Sequence, residues 1–240
     1  MTDEDISDDS ETDDSRRRFL AGTAGALGGV ALGGAFATPA LAHEDEENSD
    51  EEEIEEGPPE AVENEFEDDV AILNYALTLE YLEASFYEEA LDNISEADLV
   101  DDGPLADFGD PVPDSAYENL ETIRDHEQTH VDTLVADIES LDGDPVDEPE
   151  FDFGSAVEEP AEFIATAVQL EDTGVGAYAG AAPFIEDASL VPPALSIHSV
   201  EARHASFLRV LDEQIPFPDA FDDPLSRTEV LEAASPFIVE

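Results

Sequence analysis

Apolar side chains recur along the middle of this chain, between residues 70 and 212, at alternating intervals of three and four residues. This spacing places them on one face of an α-helix. It predicts four helices, at about 70–91, 115–141, 160–181 and 195–211. No stretch alternates apolar and polar residues in the manner of a half-buried strand. We therefore expect an all-α protein that folds as a four-helix bundle.

The segments between these helices determine how the bundle is connected. Residues 142–158 are rich in proline, and this segment is long enough to cross along the bundle instead of forming a tight hairpin. A short connection near Pro192 and Pro193 joins the third and fourth helices, which predicts that these two helices run antiparallel. Small residues in the third helix leave room for a neighbouring helix to approach closely: Gly174, Gly176 and Gly180.

The predicted bundle domain extends from residue 70 to residue 214, with a tail on each side. Residues 43–69 hold 16 acidic residues in 27 positions and are expected to form a disordered, solvated linker. Residues 215–240 contain several prolines and one short possible helix near 229–234. We expect this C-terminal tail to pack on the bundle and not to form a domain of its own.

Six polar side chains interrupt the apolar faces of the four helices. They are Glu80, Glu127, His130, Glu171, Glu201 and His204. Burying a charged group costs much free energy unless the group is paired or binds a metal. Each of the six lies near the middle of its helix, so an antiparallel bundle brings them to one height. We therefore interpret them as ligands of a buried metal centre.

The ligand types follow a defined pattern. Two helices supply one glutamate each, and the other two supply Glu-x-x-His, whose members share a helical face because they are three residues apart. This is the pattern of di-iron and di-manganese carboxylate proteins. Four carboxylates balance the charge of two divalent ions and can bridge them. We expect two iron ions, with manganese as the alternative, since imidazole suits iron and oxygen ligands also suit manganese.

Roles within the predicted centre differ. Glu127 and Glu171 are the candidates for bridging the two ions, and the other four side chains are candidate terminal ligands. Glu83 lies one helical turn from Glu80 and competes with it for the same role. Glu80 fits the inward face and the common height better, and Glu83 lies mostly off that face.

Other polar residues near the predicted ligands receive secondary roles. His126 and His198 have no glutamate three residues before them, and we expect them at the surface or in contact with a ligand from outside. Tyr87 and Tyr178 are expected as core residues first and as redox-active residues second. Two arginines could pair with acids near the ligands or form surface ion pairs: Arg124 and Arg203.

The large negative charge of the chain argues against some classes of binding partner. It contains 65 acidic residues against 7 basic ones, for a formal net charge of −58. This composition is similar to that of proteins from salt-loving microbes, in which high salt screens the repulsion. Nucleic acids and anionic membrane surfaces are poor partners for such a field. The chain has no cysteine, which excludes disulfides, thiolate catalysis and cysteine-bound metal clusters.

The first 42 residues resemble a twin-arginine export signal. Residues 15–20 read Ser-Arg-Arg-Arg-Phe-Leu, an uncharged stretch follows, and residues 40–42 read Ala-Leu-Ala, which suits a cleavage site. This interpretation predicts export to the cell surface or the extracellular space, with removal of residues 1–42. The uncharged stretch is also long enough to remain as an uncleaved membrane anchor.

Several segments of the chain resemble secreted ferritin-like proteins of the desiccation-related type. The segment Leu-Asn-Tyr-Ala-Leu-Thr-Leu-Glu-Tyr-Leu-Glu opens the first helix at residues 73–83, and the further similar segments are 127–131, 170–178, 201–204 and 236–238. The resemblance covers about residues 70–240. It implies a ferritin-like bundle, often exported, with a carboxylate-bridged iron site at the six matching ligand positions.

These observations lead to one preferred function and two alternatives. The preferred function is that of an exported di-iron protein that oxidises Fe(II) or consumes peroxide or oxygen in stress protection. Its inferred partners are Fe(II) or a small-molecule oxidant, and no protein partner can be inferred. The alternatives are a manganese catalase, which uses a similar ligand set, and a non-catalytic protein that protects against desiccation or salt stress. We expect a monomer or a small oligomer.

Overall fold

The computed structural model describes residues 58–101, 103–106, 108, 109 and 112–239. Within these residues the chain is helical, as predicted. The helices are α1 (Asp69–Asn93), α2 (Glu96–Val100), α3 (Val112–Ser140), α4 (Pro160–Ala181), α5 (Val191–Leu211) and α6 (Arg227–Ala234). The predicted export signal and residues 43–57 of the predicted linker lie outside the described residues.

The four long helices, α1, α3, α4 and α5, form the predicted bundle as two antiparallel pairs. In the first pair, the hydroxyl of Tyr117 near the start of α3 donates to the carbonyl of Leu91 near the end of α1, at 3.3 Å. In the second pair, Tyr178 late in α4 shares an apolar cluster with Ile197 early in α5. Antiparallel pairing brings the midpoints of all four helices to the same level.

The helix ends follow from local chemistry. The carboxylate of Asp68 caps α1 by accepting a backbone N–H of the first turn at 2.8 Å. Helix α4 begins with Pro160 as predicted. Helix α5 begins earlier than predicted, so Pro192 and Pro193 lie in its first turn and not in the connection. Proline is tolerated there because first-turn N–H groups have no partner within the helix.

The segment between α3 and α4 crosses along α1, as predicted. Near the start of the segment, the N–H of Val146 donates to the side chain of Asn74 at 2.7 Å. Further along, the hydroxyl of Ser85 donates to Glu148 at 2.9 Å. The contacts advance along α1 in the same order as along the segment. This crossover therefore returns the chain to the end of the bundle where α4 begins.

The C-terminal tail packs on the bundle over part of its length. In α6, Val230 and Ala234 are buried, in agreement with the expectation that the tail docks. The preceding stretch does not pack in this way, because Ile215, Phe217 and Phe221 have 66%, 77% and 50% of their surface exposed. Docking of the tail is thus restricted to its later part.

Two glycines of α4 make room for this tail and not, as predicted, for a neighbouring helix. A Cβ atom at Gly180 would lie 1.9 Å from the carbonyl oxygen of Leu225, and one at Gly176 would lie 2.7 Å from the side chain of Leu225. The N–H of Leu225 also donates to the carbonyl of Gly176 at 2.9 Å. The tail therefore lies directly against the backbone of α4.

The interior of the bundle has an apolar layer at each end. One layer includes Leu77 and Leu134, and the other includes Phe86, Phe163 and Leu208. Each long helix contributes to both layers, on either side of its midpoint. Full burial of one such side chain stabilises the fold by roughly 1.5–3 kcal/mol. The two layers lie on either side of the helix midpoints and limit the access of water to the side chains there.

Residues 58–68 form no helix or strand, yet they contact the bundle before α1 begins. The carboxylate of Glu65 accepts hydrogen bonds from the backbone N–H and the hydroxyl of Thr228, at 3.0 and 2.6 Å. The ring of Phe66 packs against Tyr75 with centroids 5.2 Å apart. None of the described helices is long and apolar enough to cross a membrane.

Candidate metal centre

The structure brings the six predicted ligands together at the centre of the bundle. Helices α1 and α4 each supply one glutamate, and α3 and α5 each supply Glu-x-x-His. The four glutamates have no exposed surface, and His130 and His204 are 7% and 5% exposed. Whether these side chains bind metal stays a prediction, but their convergence at one level agrees with the sequence pattern.

The ligand atoms form two overlapping groups, each within a span of 4.8 Å. The first group consists of Glu80, Glu127, His130 and Glu201, and the second of Glu127, Glu171, Glu201 and His204. In the first group, Nδ1 of His130 lies 3.0 to 3.1 Å from one oxygen of each glutamate. In the second, Nδ1 of His204 lies 2.9, 3.3 and 3.9 Å from its three glutamates. Each group thus offers one imidazole nitrogen and three carboxylates.

The overlap identifies the candidate bridging residues. Glu127 and Glu201 belong to both groups, whereas Glu171 belongs to one. The prediction that Glu171 bridges is therefore not supported by the geometry, and Glu201 takes that position. The physical reason is that Glu127 and Glu201 each lie within 3.9 Å of both histidines. The single glutamates of the other helices each contact one histidine: Glu80 contacts His130, and Glu171 contacts His204.

The inward-facing carboxylate oxygens depend on the two imidazoles for their close contacts. Oε1 of Glu127 and Oε2 of Glu171 lie 2.9 and 3.3 Å from Nδ1 of His204, and Oε1 of Glu201 lies 3.0 Å from Nδ1 of His130. Oε2 of Glu201 has no hydrogen-bond partner among the described residues and lies 3.9 Å from Nδ1 of His204; a buried polar atom without a partner costs roughly 1–3 kcal/mol. An ion placed among these atoms would satisfy them, and a set of carboxylate oxygens with one imidazole nitrogen suits iron or manganese. The donor set therefore fits a pair of divalent metal ions.

The histidines carry protons when no metal is bound. Burial alone lowers the pKa of His130, but the adjoining carboxylates of Glu127, Glu201 and Glu80 outweigh it and raise this pKa to about 12. For His204, burial alone again lowers the pKa, but the carboxylates of Glu127 and Glu171 outweigh it and raise this pKa to about 10. Two protonated imidazoles thus provide part of the positive charge that metal ions would supply.

The glutamates are also perturbed by their surroundings. Burial, followed by the charge of Glu201, raises the pKa of Glu127 to about 7. Burial and the charge of Glu171 hold the pKa of Glu201 well above its ordinary value. Burial and Glu127 raise that of Glu171. Without cations, the centre therefore resists full ionisation of its carboxylates.

Two buried tyrosines hold the outer glutamates. The hydroxyl of Tyr87 donates to Oε1 of Glu171 at 2.7 Å, and the hydroxyl of Tyr178 donates to Oε1 of Glu80 at 2.5 Å. Each tyrosine follows the glutamate of its own helix by seven residues and contacts the glutamate of the other helix. Burial holds the pKa of both phenols well above the usual value, so both remain proton donors. They are core residues, as predicted, and they also orient two candidate ligands.

Glu83 lies beside the centre, although its predicted position was mostly off the inward face. Its exposed fraction is 3%, and burial together with the charge of Glu201 holds its pKa well above the ordinary value. A Cβ atom on Gly174 would lie 3.1 Å from Oε1 of Glu83 and 3.5 Å from Oε2 of Glu201. The glycine leaves space for this additional carboxyl group. Glu80, and not Glu83, belongs to a ligand group, which supports the choice between them.

The other polar residues considered in the sequence analysis lie around the candidate centre and belong to neither ligand group. Nδ1 of His126 lies 3.0 Å from Nε2 of His204, so His126 contacts a candidate ligand from outside, whereas His198 belongs to neither ligand group. Arg124 pairs with the neighbouring Asp125 at the surface, at 2.8 Å. Arg203 is exposed and in neither ligand group.

An ion pair next to the centre was missed at the sequence level. Arg209 contacts Asp172 at 2.8 Å, and Asp172 directly follows the candidate ligand Glu171. This pair joins α4 to α5. The order of the residues along the chain offered no signal for it, because acidic residues are abundant and only helix packing selects the partner.

One of two comparisons with known proteins gives a match, and that match agrees with this geometry. A comparison with curated proteins finds no match. A family model described as a ferritin-like domain matches residues 68–214, which is more than half of the chain and includes the four long helices and the six candidate ligands. On this match and this fold, the chain belongs to the ferritin-like domain family.

Proposed function

We propose that this protein binds two iron ions at the centre of the bundle and oxidises Fe(II), with peroxide or dioxygen as the oxidant. The observation that carries the proposal is the overlap of two buried ligand groups. Each group has one imidazole nitrogen and three carboxylates, and the two share Glu127 and Glu201. Oε2 of Glu201, a buried oxygen of a shared glutamate without a hydrogen-bond partner among the described residues, supports the same assignment.

The charges of the centre favour two divalent ions. Four glutamates would balance the four positive charges of such a pair. In the metal-free protein, the protons on His130 and His204 leave this balance incomplete. Metal binding would displace those protons and allow Glu127 and Glu201 to ionise fully. The cluster is thus better suited to a pair of ions than to a set of ion pairs within the protein.

Two Fe(II) ions supply the two electrons that reduce one peroxide molecule, and two protons complete the two water molecules that result. The side chains of this protein would contribute position and enclosure. Tyr87 and Tyr178 hold the outer glutamates through their hydroxyl groups. The apolar layers at both ends of the bundle limit the access of water. These contributions are available before any substrate arrives, because the side chains are already buried and oriented.

Manganese is the second candidate for the centre. The ligand groups contain three oxygen donors for each nitrogen donor, and oxygen-rich sites also suit manganese. With manganese bound, decomposition of peroxide would be the expected reaction. Metal content separates the two candidates. Protein purified in molar salt and analysed by mass spectrometry should contain about two iron ions per chain on our proposal, and manganese on the alternative.

We further propose that the protein is exported by the twin-arginine pathway and acts in protection against stress. The support for export is the arrangement of residues 15–20 and 40–42. Replacing Arg16 and Arg17 together with lysine should retain the protein inside the cell. Equal amounts of both forms in the medium would contradict export by this route. A protective role that survives loss of metal binding would favour the non-catalytic alternative.

The reaction is tested with variants of the shared glutamates. Glu127→Gln keeps the shape of the side chain and removes its charge from both ligand groups, so it should abolish both metal binding and Fe(II) oxidation. Glu139→Gln is the matched control, since Glu139 is exposed on the same helix. The measurements are metal content and the rate of Fe(III) formation with peroxide. Unchanged Fe(II) oxidation by Glu127→Gln would refute the assignment of the reaction to this centre.

A further inference from the structure

His126 contacts one of the two candidate metal-binding histidines at the surface of the bundle. Its Nδ1 lies 3.0 Å from Nε2 of His204. The ring centroids are 5.2 Å apart and the ring planes are inclined by 16°, so the two rings are nearly coplanar and meet edge to edge. His126 is exposed, whereas His204 is buried. The outer nitrogen of His204 thus points away from the ligand group and toward one specific side chain.

The contact determines which nitrogen of His204 can bind a metal. A neutral imidazole has one N–H and one free nitrogen, and only the free nitrogen can be a ligand. Nδ1 of His204 faces Glu127 and Glu171, so metal binding requires the proton to be on Nε2. A hydrogen-bond acceptor opposite Nε2 favours that tautomer and fixes the orientation of the ring. Nδ1 of His126 is in position to be this acceptor, with its own proton on Nε2.

The other candidate site differs in this respect. Nδ1 of His130 faces its three glutamates in the same way. Among the residues that the structure describes, however, no hydrogen bond is formed to Nε2 of His130. The two candidate ion positions therefore have the same kinds of ligand, one imidazole and three carboxylates. They differ in that a described residue contacts the outer nitrogen of the imidazole only at the position of His204.

We propose that His126 is a positioning residue for the ion position formed by Glu127, Glu171, Glu201 and His204, and that it has no such role at the other position. This inference rests on the proposed binding of two metal ions. It assigns to His126 the outer contact that sets the tautomer of a metal-binding imidazole. Loss of such contacts in metalloproteins typically weakens metal affinity by 10–100-fold.

Two substitutions of His126 separate the hydrogen bond from the bulk of the ring. In His126→Asn, the amide oxygen occupies nearly the position of Nδ1 and can still accept from His204. In His126→Leu, a side chain of similar reach has no acceptor. Gln128→Leu places the same apolar residue at an exposed position of the same helix and controls for surface hydrophobicity. The readout is the titration of metal-free protein with Co(II) in molar salt, followed by its absorption spectrum.

The titration is repeated in backgrounds that retain one intact ligand group. Glu80→Gln impairs the group of His130, and Glu171→Gln impairs the group of His204. We expect His126→Leu to weaken Co(II) binding about 10–100-fold in the Glu80→Gln background, and to leave binding unchanged in the Glu171→Gln background. His126→Asn and Gln128→Leu should bind like the parent protein in both backgrounds.

Each outcome of this titration decides the proposal. Equal affinity of His126→Leu and the parent in the Glu80→Gln background would overturn the role of His126 while leaving the proposed function intact. Equal weakening in both backgrounds would overturn it as well, since it would indicate a general structural effect. Absence of Co(II) binding by the unsubstituted protein would instead refute the metal centre itself, and the inference with it.

Discussion

Replacing Glu127 with glutamine should stabilise the metal-free protein, even though it removes the proposed function. Burial and the charge of Glu201 raise the pKa of Glu127 from 4.5 to about 7 in the folded state. A raised folded-state pKa means that stability is fully present below pH 4.5 and is lost as the pH rises toward 7. Above pH 7, the folded protein must hold an ionised carboxylate in a site that disfavours it.

The size of this effect follows from the two pKa values of Glu127. A difference of one pKa unit corresponds to about 1.4 kcal/mol. The shift therefore lowers the free energy of unfolding by about 3 kcal/mol at pH 8, where the folded side chain is ionised, and by about 1 kcal/mol at pH 5, where the unfolded side chain ionises and the folded one keeps its proton. Glutamine cannot ionise and avoids this cost. The metal-free Glu127→Gln variant should therefore exceed the parent in free energy of unfolding by about these amounts.

The assay is urea-induced unfolding in molar salt, with a chelator, at pH 5 and pH 8. Glu139→Gln serves as the control and should match the parent at both pH values, because Glu139 is exposed. Addition of metal should reverse the order of stability. A ligand at 1,000 times its dissociation constant adds about 4.1 kcal/mol to the protein that binds it, which exceeds the difference at either pH, and Glu127→Gln should gain nothing.

One result would refute this reasoning. If metal-free Glu127→Gln is less stable than the parent at pH 8, the ionised carboxylate stabilises the fold through its contacts with the two histidines. The centre would then be a structural ion-pair network that requires no metal. A gain in stability that is independent of pH would also contradict the titration of Glu127 as its cause.

Three further predictions follow from the geometry. Glu80→Gln and Glu171→Gln should each reduce the metal content from two ions per chain toward one, as measured by mass spectrometry, since each belongs to one ligand group. Metal affinity should rise by roughly 10- to 100-fold per pH unit between about pH 6 and 9 in a chelator competition assay, because the two site histidines lose their protons on binding. Gly180→Ala should destabilise the protein by roughly 1–3 kcal/mol in thermal unfolding, because the added Cβ overlaps the backbone of Leu225. Gly109→Ala, where the new atom meets nothing within 4 Å, should have little effect.

The helices and the six candidate ligands could be predicted from sequence because both depend on short-range spacing. A Glu-x-x-His pair specifies its own helical face, and histidine is scarce enough for the repeat at His130 and His204 to be informative. The position of each ligand near the middle of a helix was sufficient to predict a common level. Antiparallel packing then brought the groups together.

Features that depend on contacts between helices were not predictable in this way. Helix α1 is buried around most of its circumference, so Glu83 is enclosed although it lies off the predicted face. The choice between Glu171 and Glu201 as the second shared ligand depends on which carboxylate comes close to both histidines across the bundle, and spacing along one helix does not decide it. Gly174, which leaves space for Glu83, was a signal in the sequence, but only the packing of α4 against α1 shows what the space accommodates.

The crossover between α3 and α4 divides the bundle into two helical hairpins of similar design. Each candidate ligand group takes three members from one hairpin and its fourth, Glu127 or Glu201, from the other. In the same way, Tyr87 of the first hairpin donates a hydrogen bond to Glu171 of the second, and Tyr178 of the second donates to Glu80 of the first. Neither hairpin contains a complete ligand group, so bound cations would hold the two hairpins together even in a chain cut within the crossover.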